Sequence, residues 1–489
     1  MTRLQQYLRC SLISGMTALA ILLPPRLPAE EQGFQPSELP SIGNPADRYL
    51  SPLQEAKLGA EFYRSVYRAG AVLEDPEVSN YIQHLGNVLV NALGTGENNY
   101  TFFIVNDNAI NAFAVPGGYI GVNAGLIQAS ETESQLASVM AHEIAHVSQR
   151  HIARLIASMN ETKIPTIGAV LAGMLLAAGG SGEAGMALMT TGMALQQQQQ
   201  LNFTRSNEIE ADRIGLSILY KSGFDPSGMP QFFHTLQRHR FNSNMRQFAF
   251  LMTHPLDHER IAAAQGAIDR LPPQKHSDSR YYLFAKARLE ALTAHQPVDL
   301  VRKLEKTREQ QKKPDVIGQY AYSQALEQAS KHSEAVAVLN EVGNSYHESI
   351  PLQLGRARSL MSSKQTDNAI SVLQQLLKIY PDNFAVNYYY AKAMLDSGRY
   401  QQGCKLLKQY LLKNTAPIFE AQKLMAELYN ANGQSILSKQ AMSEYYYNTG
   451  NFSGAVFQLR EALKEPDIDY ITRSQIELRL RELTQMARG

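Results

Sequence analysis

A mostly helical α+β domain carrying a small sheet, followed by an all-α solenoid of paired helices, is the fold that the sequence predicts. Three observations lead there. A β-rich stretch over residues 100–123 interrupts segments whose apolar spacing is helical. From about residue 280 onward, amphipathic helical segments follow one another through short turns with no strand signal. In that second half small residues recur every 34 positions, as Ala335, Ala369 and Gly403 in one helix and Ser323, Ala357 and Ala391 in the helix before it. Small residues mark places where two helices must pack closely.

The chain opens with a segment that reads as a secretory signal over residues 1–29. Arg3 and Arg9 precede an apolar run over 10–23, and Leu27, Pro28 and Ala29 offer a cleavage point. The run is too short to span a bilayer, which takes roughly 20 apolar residues. Removing these residues takes away three arginines and no acid, and moves the formal charge from +1 to −2. Such a balance carries no basic footprint for nucleic acid. Cys404 is then the single cysteine left, so no internal disulfide can form and the core must hold the fold. The 489 residues suffice for two or three domains.

Residues 30–50 are rich in Pro, Ser and Gly and read as an extended lead-in; helical spacing follows over 53–93. Residues 100–105 form a β-rich run. The segment 111–123 predicts two short strands around the turn residues Pro116, Gly117 and Gly118. Strong helical periodicity returns at 131–160 and 204–222.

The chemistry is concentrated in the first of these helices. His142, Glu143 and His146 form a pair of histidines four apart with a glutamate after the first. On a helix the two imidazoles share one face and can hold one zinc ion, while the glutamate lies beside the open metal position as a base. About 0.02 such arrangements are expected by chance from this composition. A catalytic site needs a third protein ligand. His151, five residues after His146, rotates off that face and is expected at the surface or between helices. A third histidine of the metzincin type would need Gly at 149 and His at 152, where Gln149 and Ile152 stand. Glu208 remains, with Asp212 one turn on. Glu208 is expected to bind zinc, Asp212 to accept a hydrogen bond from a ligating imidazole, and Glu210 to be solvated.

These motifs, with Asn111, Ala112, Phe113 and Ala114 upstream, resemble the gluzincin family of HtpX-like and CAAX-prenyl-protease-like metallopeptidases. The 34-residue period resembles the tetratricopeptide repeat. The resemblance implies one Zn2+ per chain, endopeptidase activity, His142, His146 and Glu208 as ligands, and Glu143 as general base. The fold class becomes an α+β metalloprotease domain followed by an all-α tetratricopeptide-repeat solenoid. Its boundaries fall at 1–29 for the signal, 30–270 for the peptidase and 271–489 for the repeats. HtpX-like relatives carry transmembrane spans, and no convincing one is present here.

Taken with the signal and the repeats, the resemblance implies a periplasmic endopeptidase that degrades misassembled outer-membrane β-barrel proteins and assists their assembly. The repeats would engage unfolded or misassembled substrates and the outer-membrane assembly machinery. A second reading makes the chain mainly a repeat-based chaperone or scaffold with latent or minor proteolysis. Residues 111–114 are expected to form an edge strand to which an extended substrate adds. His254, in a Thr-His-Pro-x4-Arg pattern ending at Arg260, could close the fourth zinc position or stabilise an oxyanion; His258 is the weaker candidate. The apolar, Met-rich residues 164–195 are expected to form a helical hairpin over the site, with peripheral membrane or partner contact and plain core packing as the alternatives for its apolar face, and 196–200 a polar helical continuation.

Overall fold

The computed structural model describes residues 45–94, 100–158, 197–240, 250–251, 254–256, 258–310, 315–342, 346, 348–413 and 418–486. The expected signal segment, the whole apolar 164–195 stretch and residue 196 lie outside the described residues. Among the described residues no helix is long and apolar enough to cross a membrane.

Helix α1 (Pro52–Arg68) starts at a capping box, with the Ser51 and Gln54 side chains each accepting the other's backbone N–H and Pro52 in the first turn. Helix α2 (Pro76–Leu93) is capped by Asp75, whose carboxylate accepts from the amides of Glu77 and Val78, and it ends at Gly94 with φ 78°. Strands β1 (Thr101–Val105), β2 (Ala112–Val115) and β3 (Tyr119–Asn123) form one sheet in the order β1-β3-β2. β1 runs parallel to β3, and β2 pairs antiparallel with Ala112 opposite Val122. The β2–β3 turn needs glycine: Gly117 and Gly118 have φ 80° and 87°, and a Cβ on Gly117 would sit 2.7 Å from the Glu55 carbonyl oxygen.

Helices α3 (Ala124–Ala129), α4 (Glu133–Ser148) and α5 (His151–Ser158) follow the sheet, then α6 (Gln197–Lys221), α7 (Gly228–Arg240) and α8 (His258–Ile268). α4 lies at the centre, buried over its first thirteen residues between α2, β2, α6 and α7. Its Leu136 and Met140 share one core with Ile82, Leu85, Ile120, Val122, Leu219 and Phe232.

The second half is helical throughout its described residues. It comprises the pairs α9 (Arg280–Leu292) with α10 (Pro297–Gln310), α11 (Val316–Gln328) with α12 (His332–Glu341), α13 (Ile350–Ser362) with α14 (Thr366–Ile379), α15 (Phe384–Asp396) with α16 (Tyr400–Lys413), α17 (Phe419–Ala431) with α18 (Ser435–Asn448), and α19 (Phe452–Ala462) with α20 (Tyr470–Met486). The starts of α11, α13 and α15 are 34 residues apart, as are those of α12, α14 and α16. Ala335, Ala369 and Gly403 are buried at the predicted close contacts between helices.

The repeats also pack on the peptidase half. Arg288 on α9 lies 3.0 Å from the Asp75 cap of α2, and Arg358 on α13 pairs with Glu77 and with Glu327. Phe419 at the start of α17 sits between Tyr63 and Tyr67 of α1, at ring distances of 5.4 and 4.9 Å. The Arg68 guanidinium donates to the Gly450 carbonyl before α19.

Candidate metal centre

Two helices build the site. α4 is launched by Thr132, whose hydroxyl accepts from the Gln135 amide at 3.2 Å. α6 crosses it closely at Gly215, where a Cβ would stand 3.2 Å from the His142 nitrogen. The absent side chain lets Glu208 and Asp212, one turn apart on α6, face His142 and His146 of α4.

His142, His146, Glu208 and His254 each turn one donor atom into a common point, all within 4.8 Å of one another. The Nε2 atoms of His142 and His146 are 3.0 Å apart. His142 Nε2 is 3.3 Å from Glu208 Oε2 and 3.3 Å from His254 Nδ1, and His146 Nε2 is 3.4 Å from Glu208 Oε1. Donors on a tetrahedron with zinc bonds of about 2.0–2.1 Å are separated by about 3.3 Å. The nitrogen and carboxylate donors therefore suit a zinc ion in both kind and spacing.

The surrounding charges govern where protons sit on these donors. Burial alone would lower the His142 pKa, but the hydrogen bonds and charges of Asp212 and Glu208 outweigh it and hold it up at about 10 without a metal. Burial drives His146 down to about 3. The Asp212 carboxylate is 3.0 Å from His142 Nδ1, which places the proton there and leaves Nε2 facing the cluster. Arg260, fully buried, grips Asp212 through Nε and Nη2 at 2.7 and 2.8 Å and reaches Glu208 through Nη1 at 2.9 Å. Burial would raise Glu208, but His254 and His146 hold it well below the usual carboxylate range.

Glu143 lies beside the donors. Burial pushes its carboxyl up, against the charges of His254 and His142 and a hydrogen bond from the Ala114 backbone. His254 Nε2 is 3.4 Å from Glu143 Oε1 while its Nδ1 is 3.1 Å from Glu208 Oε1. Phe250 stacks on the His254 ring at 4.6 Å, and its amide is bonded to the Ile110 carbonyl just before β2. His258 is exposed at the start of α8, away from the cluster.

β2 is an edge of the sheet. Ala112 is fully buried, Phe113 packs on Phe62 and Phe103, and Ala114 is half-buried. Asn111 precedes the strand and is fully buried, with no partner for its side-chain amide.

Of the two places expected for His151, the structure gives the one between helices: it is 4% exposed, and its Nδ1 lies 2.8 Å from His146 Nδ1. One expectation is corrected. Glu210 is not a freely solvated acid: its Oε2 accepts from Arg154 at 2.8 Å and lies 3.3 Å from His151 Nε2. The cause is a break at Arg150, whose φ of 52° ends α4 and starts α5 in a new direction, so that position 151 returns to His146. Arg150 is clamped there by Asp47, by Glu55 at 2.9 Å and by the Leu50 carbonyl at 2.8 Å. A left-handed arginine leaves no Gly or Pro signal in the sequence. The three acids at 208, 210 and 212 were the available clue, since every one of them engages an imidazole.

Comparison with known proteins agrees with this geometry. The sequence profile of peptidase family M48 matches residues 76–268, and a tetratricopeptide repeat profile matches 360–428. The β-barrel assembly-enhancing protease of Escherichia coli K12 is 30% identical over 92% of this chain and 91% of its own. That of Yersinia pestis is 33% identical over 75% of this chain and 69% of its own. A provisionally named one from Vibrio cholerae is 38% identical over 76% of this chain and 69% of its own.

Proposed function

The chain belongs to the β-barrel assembly-enhancing proteases of peptidase family M48, and from that membership we propose a periplasmic zinc endopeptidase that degrades misassembled outer-membrane β-barrel proteins and assists their assembly. The observation that carries this reading is the convergence of His142, His146 and Glu208 on one buried point with Glu143 at its side. Bound among these donors, zinc supplies Lewis acidity toward a water and a peptide carbonyl. Glu143 Oε1, raised in basicity by burial, takes the proton of the attacking water and returns it to the leaving amine. Asp212 and Arg260 hold His142 in the tautomer that presents Nε2. β2 would receive an extended peptide by backbone pairing, a reading supported by its position at the sheet edge and its tie through Ala114 to Glu143. The repeats supply a surface for substrates or for the assembly machinery, with the apolar 164–195 segment as a candidate membrane contact.

A second reading, latent proteolysis beneath a mainly chaperone-like role, is favoured by His254. Its Nδ1 stands where a catalytic site keeps its open position. The test is degradation of an unfolded outer-membrane β-barrel protein by the zinc-loaded chain beside its Glu143→Gln variant. Cleavage by the wild type alone supports the enzyme. Equal cleavage by both removes Glu143 from the mechanism. Assembly support that survives in Glu143→Gln assigns that role to the repeats.

A further inference from the structure

The two histidines of α4 are held in different ways. Behind His142 stands a carboxylate, Asp212. Behind His146 stands a second imidazole, His151, itself held by Glu210. Two ring nitrogens 2.8 Å apart must share one proton, so one donates and the other accepts. The direction follows from the far end. Glu210 Oε2 accepts, which makes His151 Nε2 the donor of a neutral ring and leaves His151 Nδ1 as acceptor. The proton between the rings then sits on His146 Nδ1. Nε2 of His146 is left as a lone pair facing His142 and Glu208. The reverse direction would place a proton on His146 Nε2, where it would block a metal.

We infer that His151, oriented by Glu210, is a positioning residue that fixes the tautomer and ring angle of His146 for metal binding. The inference rests on the zinc reading above. Its supports are independent of one another. The His146 and His151 rings meet edge to face at 82° with centroids 4.7 Å apart, so the neighbour also limits rotation of His146. Arg154 at 2.8 Å keeps Glu210 turned toward His151. Arg150 holds the helix break that brings position 151 back. One short stretch of α6 thus serves three imidazole contacts: Glu208 at the cluster, Glu210 behind His151 and Asp212 behind His142.

The test measures zinc affinity of the full chain by competition with a chromophoric chelator, and the visible spectrum of its cobalt form. His151→Leu removes the acceptor and keeps the bulk. Zinc affinity should fall about 10- to 100-fold, the usual cost of losing such a partner, and the cobalt bands should shift. His151→Gln can accept from His146 through its carbonyl and donate to Glu210 through its amide, so it should recover most of the loss. Glu210→Ala, at a partly exposed position, should lose affinity in the same direction while keeping the wild-type melting temperature. Wild-type affinity and an unchanged cobalt spectrum in His151→Leu overturn the inference. So does an equal loss in the Leu and Gln variants, which would mean packing alone. A wild-type chain that binds no zinc overturns the metal reading itself, and the inference with it.

Discussion

Arg260 and Asp212 form a two-pronged ion pair with almost no exposure, and the same guanidinium extends to Glu208. The pair ties α8 to α6 directly behind the metal donors. Removing the arginine leaves two carboxylates buried without their cation. Arg260→Ala should destabilise the chain by about 3–5 kcal/mol and lower bound zinc per chain. Lysine cannot reproduce two parallel bonds, so Arg260→Lys should recover little. Urea denaturation with metal analysis measures both, and a wild-type midpoint in Arg260→Ala would sink the idea.

His254 makes its contacts from a short loop, with Phe250 stacked on its ring. If it occupies the fourth position at rest, His254→Ala should raise basal proteolysis several-fold with zinc content unchanged. Release of a quenched unfolded substrate over time reads this out. Unchanged or lower turnover would favour an oxyanion role instead.

Glu420 sits at the seam between α17 and α1. Burial raises it to about 7 from 4.5, its own backbone amide opposes this, and Glu74 and Asp75 add to it. Tyr63, Tyr67 and Tyr388 also face it. The folded chain keeps a proton there between about pH 4.5 and 7 that the unfolded chain releases. The stability it contributes is therefore present below the unfolded value, declines across that window and is gone above about pH 7. Glu420→Gln should flatten this slope. Melting temperatures at about pH 5 and pH 8, compared between the two proteins, decide it; parallel slopes count against the assignment.

Arg288 is fully enclosed between Asp75, Gln324 and Glu327. Arg288→Ala should cost about 3–5 kcal/mol and expose the seam between α2 and α9 to proteolysis. Limited digestion should then separate the repeats from the peptidase half faster than in the wild type. Equal rates would mean that the remaining contacts suffice.

The sequence was most legible where a regular helix carries the information. His142, His146, Glu208 and Asp212 are separated by four residues within each pair, and helical geometry alone brings each pair to one face. The 34-residue period announced the repeats because each small residue answers to a helix contact. His151 lies between helices, one of the two places expected, but its contact with His146 was missed by the same logic. Five residues along a continuous helix is about 140° off the starting face, but the helix is not continuous at Arg150. Glu210 was misread because its long side chain reaches sideways to α5. The pairing of Asp75 with Arg288 spans 213 positions, and no local pattern could announce it.

Among the described residues the repeat array is anchored to the peptidase half at separate places, including α2 through Asp75 and Glu77 and α1 through Phe419 and Gly450. A rod pinned near both ends cannot flex without loading its pins. Any cargo that straightens or tightens the superhelix between α9 and α17 must do work against the buried charges at one anchor or the stacked rings at the other. Affinity measured on an excised array would omit that work, and so would overstate what the intact chain can hold.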